Sequence, residues 1–257
     1  MAEQYLKSQF EELGLETAVQ DFTYGETYES SNVIAYKPGT SSKQIIVGAH
    51  YDSVSEGVGV DDNASGVGVM LEAAEVLRDI ETPYSIVFIA FGAEEVGLQG
   101  SKYYANNMSS EEVENTVGMI NLDSLAVGDN MYVYGNAGEE GFIRDLALSI
   151  ANVKNLNVGT NPGLNEDYPE GTTGDWSDHA PFKAKGIPYG YLEATNWEIG
   201  AKDGYDQTEE HGGVWHTEND TLEFIEQEFP GRIDEHLSTF SILLTEILKN
   251  LNPSNIL

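Results

Sequence analysis

Continuous apolar runs alternate with amphipathic stretches through most of the chain, and polar loops separate them. The continuous runs are typical of strands covered on both faces, and they predict strands at residues 44–49, 84–91, 116–122 and 187–194. Apolar residues at helical spacing predict helices at residues 2–13, 65–79, 101–108, 138–151 and 231–251. The repeated order of strand, loop and helix predicts an α/β fold with a largely parallel sheet.

The N-terminal part of the chain follows a different pattern. Residues 17–24 and 31–37 are expected to be strands, and together with residues 44–49 they would form a hairpin-rich edge of the sheet. No internal repeat or change of composition marks a second domain. We therefore expect one catalytic domain over residues 1–257.

The composition narrows the classes of function. The 257 residues include 44 acidic and 12 basic side chains, which gives a net charge of −32. Such a charge repels nucleic acid and anionic membranes, and it favours cations and cationic substrates. The absence of cysteine excludes disulfides, thiolate metal sites and cysteine nucleophiles. No apolar run reaches the ~18 residues of a membrane span.

Metal-competent side chains follow the apolar runs. His50 ends the first run, Glu94 and Glu95 follow the second, and Asp123 follows the third. His216 lies in a later loop. Imidazole nitrogen and carboxylate oxygen are ligands that Zn²⁺ accepts, and open α/β sheets bind ligands at the carboxyl ends of their strands. The pattern indicates a metal site at this edge of the sheet.

A glycine-rich loop that follows His50 supplies a further carboxylate, Asp62. Hydrolytic two-metal sites hold their ions about 3.5–4 Å apart, in reach of one shared carboxylate. Gly57 and Gly59 let the backbone of this loop fold inward. Asp62 is therefore the candidate for a bridging ligand.

Six motifs occur in the order and rough spacing of the double-zinc aminopeptidases: AHYDS, GVDDNASG, AFGAEEVGLQGS, NLDS, SDHAPF and HTENDT. The chain resembles this family, in particular its secreted bacterial leucyl aminopeptidases, over roughly residues 30–225. The wider clan includes glutamate carboxypeptidase-type enzymes and glutaminyl cyclases. The resemblance implies a single-domain three-layer sandwich, in which a mixed, mostly parallel sheet carries helices on both faces.

The resemblance also implies two zinc ions per chain. His50 and Asp123 would bind one ion. Glu95 and His216 would bind the other, and Asp62 would bridge the two. The family further implies a cis peptide bond after Asp62.

Glu94 would be the catalytic general base, which takes a proton from the attacking water and passes it to the leaving amine. Asp52 would support the site by orienting His50 through its second ring nitrogen. Asp178 and His179 are expected to brace the site or to line its pocket. Their neighbour Ser177 is expected to cap a short helix that ends at Ala184.

The substrate pocket is expected to have aromatic walls. Some secreted family members place a tyrosine before the last histidine ligand to stabilise the oxyanion, but this chain has Trp215 there. The oxyanion donor is thus left open between the indole N–H and zinc itself. Other aromatic residues expected near the pocket are Tyr189, Tyr191, Trp197 and Tyr205. They favour a large apolar first residue such as leucine.

The charged residues favour the amino end of the substrate. Arginine is the usual partner of a substrate carboxylate, and Arg78, Arg144 and Arg232 all fall on predicted helices away from the motifs. An acidic site suits a protonated α-amine. We therefore expect an aminopeptidase that acts on peptide or protein N-termini.

Three alternatives remain open. A carboxypeptidase or dipeptidase of the same clan would use the same metals. A glutaminyl-cyclase-type enzyme typically works with one zinc and lacks the ligand equivalent to His50, so the presence of both His50 and Asp123 argues against it. A non-catalytic binding module should have lost some of the metal ligands, whereas this chain keeps all five candidates and Glu94. We further expect a secreted monomer, and we leave open a structural calcium ion without assigned ligands.

Overall fold

The computed structural model describes residues 1–252, which form strands and helices over most of their length. The strands are β1 (Glu16–Tyr24), β2 (Tyr28–Lys37), β3 (Ser41–His50), β4 (Tyr84–Phe91), β5 (Thr116–Leu122), β6 (Asn130–Gly135), β7 (Val158–Gly159) and β8 (Tyr189–Thr195). The helices are α1 (Ala2–Glu12), α2 (Gly66–Leu77), α3 (Gln99–Asn107), α4 (Ser110–Asn115), α5 (Phe142–Lys154), α6 (Ala180–Lys183), α7 (Leu222–Glu228) and α8 (Arg232–Asn250). Two irregular turns, Val60–Ser65 and Gly138–Gly141, precede α2 and α5.

The strands form one mixed sheet in the order β1-β2-β4-β3-β5-β8-β6-β7. Its centre, β4-β3-β5-β8, is parallel. The hairpin of β1 and β2 adds antiparallel strands at one edge, and β6 pairs antiparallel with β8 near the other. The prediction of an α/β fold with a mixed, mostly parallel sheet is confirmed.

The expectation that β3 belongs to the hairpin edge is wrong. β2 pairs with β4, whereas β3 lies between β4 and β5. The reason is that residues 45–50 of β3 are buried throughout. A strand that is apolar on both faces gains most from a central position, where helices cover both sides.

The sheet separates two layers of helices. Alternate residues of β4 point to opposite faces: Phe88 packs with the layer of α1, α2, α5 and α8, and Val87 packs with α3 and α6. The predicted three-layer arrangement is therefore present. Within residues 1–252, no helix is long and apolar enough to cross a bilayer.

Two helices were not predicted. Helix α4 begins after Ser109, whose hydroxyl accepts from the backbone N–H of Glu112 while the Glu112 carboxylate accepts from the N–H of Ser109. This S-x-x-E pattern is a capping box that is readable in the sequence. Helix α7 begins after Thr221, whose hydroxyl accepts from the N–H of Phe224.

Candidate metal centre

The parallel register of the central strands brings His50 and Asp123 together. Gly48 of β3 is paired with Asn121 of β5, so the residues two positions further along each strand are neighbours at the carboxyl edge. His50 is 1% exposed, and its Nε2 lies 3.3 Å from Oδ1 of Asp123. The structure therefore places this predicted pair in contact.

Asp62 lies between two imidazoles. It belongs to the turn Val60–Ser65, and the peptide bond from Asp62 to Asn63 is cis, as the family resemblance implies. Oδ1 of Asp62 lies 3.0 Å from Nε2 of His50, and Oδ2 lies 3.1 Å from Nε2 of His216. The two oxygens of one carboxylate thus face two separate histidines.

His216 and Glu95 form the other side of the site. Nε2 of His216 lies 2.8 Å from Oε2 of Glu95. The second oxygen of Glu95 is buried and has no hydrogen-bond partner. His216 has a positive φ of 55°, which L residues adopt at a cost, and its side chain is 53% exposed. Contacts from the surrounding loop must therefore hold this residue in position.

Asp52 contacts the second ring nitrogen of His50 as expected, but through its main chain rather than its side chain. The Nδ1–H of His50 has the backbone carbonyl of Asp52 at 3.0 Å, whereas the Asp52 carboxylate lies 3.7 Å away. That carboxylate instead accepts from the backbone N–H groups of Glu94 and Glu95, at 3.0 and 3.2 Å. The side chain thus faces these two N–H donors, while the main-chain carbonyl faces the imidazole. Asp52 therefore holds the loop after β4.

Charges within the site shift the pKa values of its members strongly. Burial lowers the pKa of His50, but the carboxylates of Asp123 and Asp62 outweigh burial and raise it well above its ordinary value. Hydrogen bonds to Asp62 and Glu95 raise the pKa of His216 to about 10. Burial raises the pKa of Glu94 to about 9, and nearby carboxylates including Asp178 add to this effect while His50 opposes it.

These side chains fit divalent cations. The donor atoms form two groups that share Asp62, namely His50, Asp62 and Asp123, and Asp62, Glu95 and His216; within each group they lie no more than 4.8 Å apart. Crowded buried carboxylates require compensating positive charge, and metal ions can supply it in place of protons on the imidazoles. Imidazole and carboxylate together match the preference of zinc.

A third group in residues 1–252, Glu210, His211 and Glu228, lies elsewhere. Nε2 of His211 faces a carboxylate oxygen of Glu228 at 3.3 Å. All three groups contain a histidine, whereas calcium prefers oxygen ligands. The suggested structural calcium therefore finds no support in the structure.

The SDHAPF segment supports the site from behind. The hydroxyl of Ser177 donates to Oδ2 of Asp123 at 2.6 Å, so it does not cap the following helix. Helix α6 begins at Ala180 with His179 at its N-cap, and the predicted cap at Ser177 is wrong. Asp178 and His179 are fully buried, and neither lines the cavity.

The metal-competent residues line a cavity of about 640 Å³. Its larger apolar and aromatic walls are Leu98, Tyr168, Trp176, Tyr191, Tyr205 and Trp215. Glu94, Asp175 and Asp203 add carboxylates, and Lys102 adds an ammonium group to the lining. The predicted aromatic residues Tyr189 and Trp197 instead pack in a buried cluster behind this wall.

Comparison with known proteins decides the family. Residues 32–241 match the sequence model of Peptidase family M28. The chain belongs to this family. The family resemblance read from the six motifs is thereby confirmed.

Similar proteins have peptidase names in several cases. The chain is 35% identical to the alkaline phosphatase isozyme conversion protein of Escherichia coli, over 96% of this chain and 82% of that protein. It is 33% identical to Aminopeptidase YwaD of Bacillus subtilis, over 77% of this chain and 41% of the relative. The chain thus spans about two fifths of the latter's length.

A solved structure extends the likeness to the fold. The zinc aminopeptidase BSAP from Bacillus subtilis superposes with a TM-score of 0.69 at 28% identity, covering 88% of this chain and 52% of that one. Family membership and this likeness support a zinc-dependent peptidase hydrolase.

Several residues of the site belong to no sequence motif that would identify them individually. Tyr168, Trp176 and Asp175 come from the polar loop between β7 and α6, and Asp203 comes from the loop after β8. Their presence at the cavity depends on how two long loops fold over the sheet. Loop length was the available signal, since long loops in compact domains are often functional.

Proposed function

We propose that the chain is a metallo-aminopeptidase that removes N-terminal residues from peptides with two zinc ions. The observation that carries this proposal is Asp62, whose two carboxylate oxygens lie 3.0 and 3.1 Å from the Nε2 atoms of His50 and His216. One ion would be held by His50, Asp62 and Asp123. The second would be held by Asp62, Glu95 and His216.

Glu94 is the general base in this proposal, and the positive charge of bound zinc ions would oppose the rise that burial causes in its pKa and so favour its ionised form. Its carboxylate is in the cavity lining beside both ligand groups, and its backbone N–H is fixed by Asp52. Zinc, when bound, acts as a Lewis acid and makes water a stronger nucleophile near neutral pH. Glu94 takes a proton from the attacking water as the water oxygen forms a bond to the scissile carbonyl carbon. It then gives that proton to the amine nitrogen as the carbon–nitrogen bond breaks.

The cavity suits the amino end of a peptide. The carboxylates of Glu94, Asp175 and Asp203 are in its lining, and none of the three arginines is. The ammonium group of Lys102, which also lines the cavity, donates a hydrogen bond to the carbonyl of Gly97 at 3.0 Å. Acidic groups therefore dominate, and they favour a protonated α-amine over a terminal carboxylate.

The apolar and aromatic walls of the cavity suit a substrate whose N-terminal residue is large and apolar, such as leucine. Leu98, Trp176 and Trp215 are among the lining residues, and Trp215 packs against Tyr205 with ring centroids 5.5 Å apart. Aromatic walls of this kind bury large apolar side chains effectively. We further propose that the enzyme is secreted, because the chain is highly acidic and free of cysteine. We also propose that it is monomeric, because a net charge of −32 opposes self-association.

Paired substrates test the choice of peptide end. Leucine-p-nitroanilide and its N-acetylated form present the same side chain and leaving group, and they differ in the free amine. The proposal expects cleavage of the free-amine substrate and at least a 100-fold lower kcat/KM for the acetylated one. Equal cleavage of both would contradict amine recognition. Cleavage of neither, together with turnover of N-blocked peptides that have a free carboxylate or of N-terminal glutamine, would favour the carboxypeptidase or the cyclase.

A further inference from the structure

Gln207 is a fully buried amide in the loop between β8 and α7, and both ends of its side chain are engaged. Its Nε2–H donates to Oδ2 of Asp61 at 2.6 Å. Its Oε1 accepts from the backbone N–H groups of Val214 and Trp215, at 2.8 and 3.0 Å. A single side chain thus joins two segments that are distant in sequence.

The first of these segments carries the shared carboxylate of the metal centre. Asp61 precedes Asp62, and its Oδ1 accepts from the N–H groups of Ala126 and Val127 at 2.7 and 3.1 Å. The N–H groups of Asp61 and Asp62 donate to the carboxylate of Asp220 at 2.7 and 3.2 Å. The backbone at Asp62 is therefore fixed from several sides, and Gln207 bonds to this rigid point.

The second segment carries His216. Val214 and Trp215 immediately precede it, and His216 itself has the left-handed φ of 55°. The hydroxyl of Thr217 donates to the carbonyl of Val214 at 2.6 Å, which closes the turn around the histidine. The loop must keep this conformation for Nε2 of His216 to stay beside Glu95 and Asp62. The two N–H bonds to Gln207 oppose relaxation of that conformation.

We propose that Gln207 is a positioning residue that fixes the distance between Asp62 and His216 across the metal centre. The inference rests on the proposed two-metal site and deepens it. The other ligand pair does not depend on this link, because strand pairing between β3 and β5 sets the positions of His50 and Asp123. Loss of Gln207 should therefore weaken the metal bound by Glu95 and His216 selectively.

Zinc affinities measured by competition with a chelator test this selectivity, since they do not require turnover. In the Gln207→Met variant, which keeps the side-chain length and removes its hydrogen bonds, we expect one of the two zinc dissociation constants to rise at least 10-fold. Loss of partners that orient ligands typically costs roughly 10–100-fold in metal affinity. The other constant should stay within threefold. A His216→Ala reference identifies which constant belongs to the Glu95–His216 group.

Thr208→Val is the matched control. Thr208 is the next residue, is equally buried, and its hydroxyl bonds to Gly212 and to the N–H of His211 without reaching Asp61. This variant should leave both zinc constants within threefold of the wild type. If Gln207→Met does not fold, Asp61→Asn breaks the same link from its other end and should move the same constant.

Three results would overturn the proposal: equal weakening of both zinc sites in Gln207→Met, no weakening of either, or the same selective loss in Thr208→Val. Two bound zinc ions without aminopeptidase activity would contradict the proposed function but would leave the positioning role of Gln207 unaffected. A wild-type protein that binds fewer than two zinc ions would overturn both proposals.

Discussion

Replacing Asp52 by alanine should impair catalysis by releasing the loop that carries Glu94 and Glu95. The Asp52 carboxylate accepts from the N–H groups of these two residues at 3.0 and 3.2 Å. Its distance from the ring of His50 is 3.7 Å, too long for a hydrogen bond. The His50 ring keeps its bond to the backbone carbonyl, which the substitution leaves in place.

The size of the effect follows from the two lost hydrogen bonds. A hydrogen bond to a charged acceptor contributes about 1.5–3 kcal/mol. The side chain of Asp52 is 25% exposed, so water can replace part of each bond, and we take about 2 kcal/mol for the pair. At about 1.4 kcal/mol per factor of ten, kcat/KM should fall about 30-fold.

The assay is hydrolysis of leucine-p-nitroanilide with zinc at saturation, with the bound zinc counted on the same samples. Glu56→Gln is the control, because Glu56 is exposed, lies in the same loop after β3, and loses the same unit of charge. It should behave as the wild type. The reasoning fails if Asp52→Ala keeps kcat/KM within twofold of the wild type, or if its main defect is loss of the zinc bound by His50.

Two further predictions concern the base and the pH dependence of stability. Glu94→Gln should lower kcat by about 10²–10⁴-fold with bound zinc unchanged; loss of zinc in this variant, or near-normal turnover, would argue against the role of Glu94. Burial lowers the pKa of His236 to about 4, so the folded state resists the proton that an unfolded chain accepts near pH 6.5. The contribution of His236 to the free energy of unfolding should therefore be fully present above that pH. It should fall by about 2–3 kcal/mol as the pH drops to about 4.5. Chemical denaturation in the presence of chelator should show that this loss is much smaller in His236→Gln, and an equal loss in both proteins would refute the assignment.

The candidate metal-ligating residues could be picked out of the sequence because the same local pattern recurs along the chain. An apolar run that ends in a metal-competent side chain delivers that side chain to the carboxyl edge of a parallel sheet, wherever the strand lies in that sheet. This is why the neighbouring positions of His50 and Asp123 could be expected although the strand order was partly wrong. The misplaced strand β3 shows the limit, since strand order depends on how helices cover both faces of the complete sheet.

Partners that act over a long sequence distance could not be predicted. Asp52 precedes the loop after β4 by about forty residues, and its carboxylate bonds to backbone N–H groups that have no side-chain signature. Gln207 and Asp61 are likewise separated by 146 positions. The hydroxyl of Ser177 suited a helix cap, but the buried carboxylate of Asp123 offered it a stronger acceptor.

Activity measured as a function of bound zinc tests the central claim most directly. Metal-free protein is loaded stepwise, and the cleavage of leucine-p-nitroanilide is recorded beside the zinc content of each sample. The account predicts no cleavage without metal and an activity that saturates at two zinc ions per chain. Full activity in thoroughly chelated protein, or in a protein that never binds more than one zinc ion, would contradict a centre in which Asp62 is shared by two metals.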